Sequence, residues 1–239
     1  MDGKIKLGHF GNLKITSSGK YLGIILNANG IMDDEVTHRI AQAQKAMHKL
    51  NNIWRSRELS VEVKIKIFTT MIRSVVTYAL DAHVLTHTQM QRLEAAHTLL
   101  IQRAIRAPAH IDKENNTTLR TRANVHSLTS TLAHRRILNL WKALMFPNES
   151  VAYLTALFGQ TELDNMRIPT QYTSSRLKQV ATDLNNLQMR LANNTLAPQH
   201  HAHTGLLLNR ETMNWLSNLT KDQLSTILQH ESSAERRTT

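Results

Sequence analysis

Three groups of residues in this sequence have types and spacings that could do chemistry. Met32-Asp33-Asp34 sets two carboxylates side by side, as sites that hold a pair of divalent metal ions do. That use needs both on a hairpin turn beside a third aspartate from another strand, and no such strand precedes them here. With Glu35 the triplet opens an amphipathic segment, where negative charge meets the free N–H groups of a helix start. Helix initiation is therefore the expected role. His200, His201 and His203 sit in a polar stretch flanked by Pro and Gln, with no helical spacing to gather them and no cysteine anywhere in the chain. A structural zinc site lacks its usual ligands, so no metal is expected. No nucleophile–base arrangement stands out, and no glycine-rich phosphate loop follows a strand. The sequence thus predicts neither a catalytic residue nor a cofactor.

The third group is basic, and its placement carries more information than its size. The net charge is +11, with an excess of five over residues 1–57, six over 58–147 and none from 148 onward. A localised positive field marks a polyanion partner; the bland reading is a solvated basic surface. Candidate nucleic-acid-binding residues are Lys20, Arg39, Lys45, Lys49, Arg55, Arg57, Arg103, Arg106, Arg120, Arg122, Arg135 and Arg136. Trp54, Tyr21 and Trp141 could stack on bases, but each lies in an apolar stripe or strand, so core packing is expected.

These side chains need elements to position them. Residues 4–7 and 13–16 alternate polar and apolar as half-buried strands do, and Tyr21–Leu26 reads as a third strand closed by Asn27-Ala28-Asn29-Gly30. Behind the acidic triplet, Val36, Ile40, Ala43, Met47, Leu50 and Trp54 form one helical stripe, with Arg39, Lys45, Lys49 and Arg55 expected on the solvent face. A second helix follows Ser60 and is apolar nearly all round through Tyr78, which predicts burial, although Thr69-Thr70 and the β-branched residues leave a strand open for part of it. A third helix should start near Thr86 or Thr88 and end before Ala107-Pro108; residues 112–118 read as loop. A fourth runs from about Ser127 to Phe146, with Arg135 and Arg136 exposed, and Pro147 breaks it. Shorter helices are expected at 151–158, 174–191, 204–219 and 222–229, with 231–239 frayed. The fold class is mainly α: a helical bundle with a small N-terminal antiparallel β-hairpin.

K-Y-L-G at Lys20–Gly23, the acidic helix start, R-I-A-x-A from Arg39, the Leu50-x-x-Ile53-Trp54 cluster and the S-x-x-x-K-I-x-I-F helix resemble LINE-type (non-LTR) retrotransposon reverse transcriptases. The resemblance covers roughly 19–147, including Arg103 to Arg106 and Ala133-His134-Arg135-Arg136. It implies that K-Y-L-G belongs to the primer-grip hairpin and that the helices form a thumb. In that family the first thumb helix tracks the minor groove of a template–primer duplex, and Arg39, Lys45 and Lys49 match that helix. The family's fingers and its palm aspartates would lie before Met1.

The expected organisation is a palm-edge hairpin at 1–30, a basic thumb-like bundle at 31–147 and a neutral helical appendage at 148–239. The expected function is non-catalytic binding of structured RNA or an RNA–DNA duplex through 31–147, within a ribonucleoprotein such as an organellar ribosome. Residues 148–239 are expected to contact protein partners, with 174–191 docking inward and the last helices reaching outward. Two alternatives stay open: a fragment of an active reverse transcriptase, and a structural subunit of a protein or membrane assembly. No apolar run approaches ~20 residues, so no membrane span is expected. The lack of cysteine fits a reducing compartment, mitochondrion or nucleus.

Overall fold

The computed structural model describes residues 4–6, 12–14, 16–106, 116–150, 178–184, 186 and 210–234. Two antiparallel hairpins come first: β1 (Lys4–Lys6) with β2 (Asn12–Lys14), and β3 (Ser18–Tyr21) with β4 (Ile24–Asn27). Every described residue after them is helical or irregular, so the chain is mainly α with a small N-terminal antiparallel β component, as its periodicities predict. One strand expectation is corrected. Tyr21–Leu26 is not a single strand, because Leu22 (φ 46°) and Gly23 (φ 83°) make a two-residue turn between Tyr21 and Ile24. Positive φ at both positions is the hairpin geometry that matches strand twist. Leucine is a poor residue for it, so local sequence conceals the turn. Asn27–Gly30 does turn: Gly30 N–H reaches Asn27 O at 2.9 Å, and Asn29 N–H reaches the Asn27 side chain at 3.0 Å.

Packing divides the chain into two compact units, Met1–Ala79 with Leu85–Val125, and Leu80–Val84 with His126–Thr239. The first unit holds 18 Lys and Arg against nine Asp and Glu, nearly all of the chain's excess. Its helices are α1 (Asp33–Lys49), α2 (Asn51–Arg55), α3 (Val61–Ile67), α4 (Arg73–Thr77), α5 (His87–Ile105) and α6 (Asn116–Ala123). Val36, Ala43, Met47 and Trp54 bury the expected stripe of α1 and α2. A π turn at Phe68–Ile72 joins α3 to α4, and the Thr69 and Thr70 hydroxyls both donate to Lys66 O. Those bonds supply the backbone with partners inside a helix, which removes the strand alternative. Only one face of this helix is buried, through Ile65, Phe68, Ile72 and Val76. Val61, Val63, Met71 and Tyr78 are exposed, so the expectation of burial on most sides is corrected. Helix α5 starts at a capping box: Thr86 Oγ1 accepts from Gln89 N–H, and the Gln89 side chain accepts from Thr86 N–H. Helix α6 occupies part of the predicted 112–118 loop; its Leu119 and Ala123 are buried.

His97 of α5 lies fully inside this unit, its ring 5.5 Å from that of Phe68, with both ring nitrogens unpartnered among the described residues. Burial, reinforced by the positive charges of Arg73 and Arg120, lowers its pKa to about 3.

The second unit is built on α7 (Leu128–Met145), capped by Ser127, whose Oγ accepts from Ser130 N–H at 3.1 Å. Ile137, Leu140 and Trp141 pack with Val180, Ala181 and Leu184 of the helical stretch 178–184. The same cluster takes in Leu216 of α8 (Arg210–Asn218), Leu219, and Leu224, Ile227 and Leu228 of α9 (Lys221–Ala234). Trp141 Nε1 donates to Leu219 O at 2.9 Å. The last helices therefore pack inward on α7, where they were expected to reach outward. Of the apolar faces offered to an external partner, the described Val180, Leu184 and Leu216 are buried within this unit. The helix expected at 151–158 lies outside the described residues.

A chain ending at Pro147 uncovers Ile137, Leu140 and Trp141, each worth roughly 1.5–3 kcal/mol of burial. It is expected to aggregate, which light scattering and binding of an apolar dye will detect; a soluble monomer with native helix content would refute this packing. For His97, the unfolded chain takes up a proton below the ordinary histidine value of 6.5 while the folded chain does not until about 3. Its contribution to stability is thus complete above pH 6.5 and is lost as pH falls towards 3, at about 1.4 kcal/mol per pH unit. His97→Leu should flatten that acid limb in urea titrations at pH 4 to 7; an unchanged limb would contradict the burial.

Candidate nucleic-acid interface

The hairpin and the first helix are joined by a buried charge. Glu35 is fully buried in the first turn of α1, and its Oε2 accepts from Ile25 N–H of β4 at 2.6 Å. Its Oε1 accepts from Arg39 Nε one turn along the helix, and Arg39 Nη2 donates to Gly23 O at the hairpin turn. The Arg39 guanidinium lies 4.8 Å from the centre of the Tyr78 ring, and Tyr78 Oη donates to Leu22 O at 3.0 Å. A buried ion pair is tolerable only when hydrogen bonds complete it, as they do here. Arg39 was expected on the solvent face of α1, but only 6% of it is exposed. Its charge is consumed in holding K-Y-L-G against α1.

The remaining cations fall into distinct places. Arg55, Arg103 and Arg106 line one groove, of about 620 Å³, together with Gln44, His48 and Asn51 on one side and Gln102 on the other. All three arginines are exposed, none pairs with a carboxylate among the described residues, and the lining contains no acid. Lys45 and Lys49 line a second groove of about 610 Å³ beside Ala41, Ala46 and Val75. Gln44 and His48 border both grooves, so α1 presents a ridge of hydrogen-bonding side chains with cations on either flank. Spacing explains it. Residues 44 and 48 on α1 continue into 51 and 55 on α2 at helical spacing, and 102 and 103 lie on the last turn of α5 with Arg106 just past its end. Those polar stripes were legible in the sequence, yet reading charge alone passed over Gln44, His48, Asn51 and Gln102.

Other candidates do not join them. Lys20 is exposed on the hairpin and Arg57 in the segment after α2; neither lines either of these two grooves. Arg120 pairs with Glu94 at 2.7 Å, and Arg122 of the same helix is exposed but also engaged. Arg135 and Arg136 belong to the second unit. Arg135 is half-buried with a partner, and Arg136 is buried in a two-pronged pair with Asp183, which Gln179 also reaches at 3.1 Å. The expected exposure of Arg136 is therefore corrected: the helix at 178–184 covers it. Trp54 and Trp141 are core residues, as expected, with Trp54 Nε1 donating to Met47 O at 2.8 Å. Tyr21 is not in the core but 63% exposed, because the turn at Leu22 brings it to the hairpin tip.

The two adjacent aspartates are also accounted for. Asp33 is bound by Gln89 at 3.0 Å and Arg92 at 3.1 Å from α5, while Asp34 is exposed. Among the described residues no three His, Asp or Glu side chains gather as metal ligands would, and no helix is long and apolar enough to cross a membrane.

A family described as a domain of unknown function (DUF6451) matches residues 46–78, from the end of α1 through α2 to Tyr78. No curated protein and no solved structure matches the chain.

Breaking the buried pair should be costly. Glu35→Ala leaves Arg39 and the Ile25 amide without their acceptor and is expected to lose about 3–5 kcal/mol in urea unfolding. Hydrogen exchange at Ile25 should accelerate with it. A variant as stable as the parent would show that the hairpin is held otherwise.

Proposed function

We propose that the first unit binds duplex RNA or an RNA–DNA hybrid without catalysing a reaction on it, as part of a larger ribonucleoprotein. The α1 ridge lies in the minor groove, and the two cation sets meet the two phosphate backbones. The observation that carries this reading is the pair of basic grooves on either side of Gln44 and His48. An A-form minor groove is wide and shallow and displays 2′-hydroxyls, which amide and imidazole side chains can bond. Phosphate contacts supply the affinity and little sequence preference. The resemblance of residues 19–147 to a reverse-transcriptase thumb supports the same placement of α1, and descent from such a thumb is part of the proposal. The charge map supports it too, since the excess lies in the unit that holds the grooves.

The test is a salt titration of binding to an RNA duplex, an RNA–DNA hybrid, a DNA duplex and a single strand. The first two should bind more tightly than the others. Replacing Arg55, Arg103 and Arg106 together by Gln should weaken binding and reduce the log–log salt slope by about two to three units. All three are exposed, so the variant should keep the parent's melting curve. An unchanged slope with the fold intact would sink the proposal.

A further inference from the structure

We propose that Ser60 is a phosphorylation site for a serine/threonine kinase that selects arginine three and five residues before its target, and that the phosphate weakens duplex binding. The second half rests on the duplex-binding reading above; the first does not. Ser60 is preceded by Arg57 at three residues and Arg55 at five, and no other Ser or Thr in the chain has arginine at both positions. Kinases of this kind read such arginines through carboxylates in an extended cleft, a recognition set by charge pattern.

Local geometry suits that cleft. Between α2 and α3 the backbone has no regular structure, and its two ends are extended, with φ −57° and ψ 135° at Ser56 and φ −63° and ψ 157° at Ser60. Lys64 Nζ anchors the start of the segment by donating to Ser56 O at 2.6 Å. Beyond that anchor Arg57, Glu58 and Ser60 are exposed, and Val61 behind them is 50% exposed. Arg55 is exposed as well, so both arginines are open to a kinase. Ser60 caps α3, its Oγ accepting from Val63 N–H at 3.3 Å, which occupies one of the two lone pairs of the hydroxyl.

In the transfer, Ser60 Oγ attacks the γ-phosphorus of ATP. The new P–O bond forms as the bond to the β-phosphate oxygen breaks, ADP leaves, and the hydroxyl proton passes to a carboxylate of the kinase. The product places a charge near −2 at a helix N-terminus, where the backbone N–H groups favour it, so the fold tolerates the group. That charge competes for Arg55, which lines the groove, and repels an incoming phosphate backbone.

The full-length chain would be treated with a purified kinase of this specificity and MgATP, and the sites read by mass spectrometry. One phosphate on Ser60 is expected, none on Ser60→Asn, which keeps a capping side chain, and at least tenfold slower transfer to Arg57→Gln. Binding of the phosphorylated chain to an RNA duplex should fall about tenfold at 0.1 M salt, the loss of one phosphate contact, with the salt slope reduced by about one. Ser60 left unmodified, or modified equally fast in Arg57→Gln, overturns the site. A phosphorylated chain with unchanged affinity overturns its effect. If neither form binds a duplex, the duplex-binding reading fails and the modification site stands.

Discussion

A single buried carboxylate organises the first unit. Glu35 sits where helix initiation calls for an acid, but it faces inward, between an amide of β4 and the guanidinium of Arg39. A buried negative charge needs its partners in place, and here they come from two sources: the same helix and the hairpin that precedes it. Arg39 in turn reaches Gly23 O, and Tyr78 closes the cluster from the far end of the next helix. The strained positive φ of Leu22 persists because these contacts over-determine it. The hairpin, α1 and the helix ending near Tyr78 are thereby fixed as one body.

That arrangement determines which positive charges remain for a polyanion. Arginine that pairs inside a protein contributes little field outside it, and Arg39, Arg120 and Arg136 are used in this way. Five of the cations that stay open on the first unit are grouped by helix geometry. Lys45 and Lys49 share one flank of α1, and Arg55, Arg103 and Arg106 share the groove on its other flank. Met47 and Trp54, buried beneath that groove, hold α1 and α2 at the spacing it needs. The same aromatic side chain that looks like a stacking platform in the sequence therefore acts through its packing.

The second unit follows a different logic. Short amphipathic helices of neutral balance bury little surface alone, and those described here bury it on α7. The pair between Arg136 and Asp183 lies beside that apolar cluster and joins α7 to the stretch at 178–184. Charge balance therefore changes near residue 147, whereas packing changes at Val125, because α7 carries Arg135, Arg136 and Lys142 as well as the seam that later helices cover.

Much of the fold was legible from residue order. The period of Val36, Ala43 and Met47, the helix starts near Thr86 and Ser127 and the break at Pro147 are local signals. They correctly mark α1, α5 and α7. The location of the positive charge was equally plain, because it is a matter of counting. The sequence could not say that K-Y-L-G turns at Leu22, that Glu35 points inward, or that the last helices fold back on α7. Nor could it sort Arg39 and Arg136 from Arg55, Arg103 and Arg106. Each of these depends on a partner far away in the chain: Ile25 for Glu35, Leu22 for Tyr78, Asp183 for Arg136. Periodicity reports which face of an element is apolar, but the fate of a single charge depends on what the tertiary fold brings against it, and that contact leaves no mark on neighbouring residues.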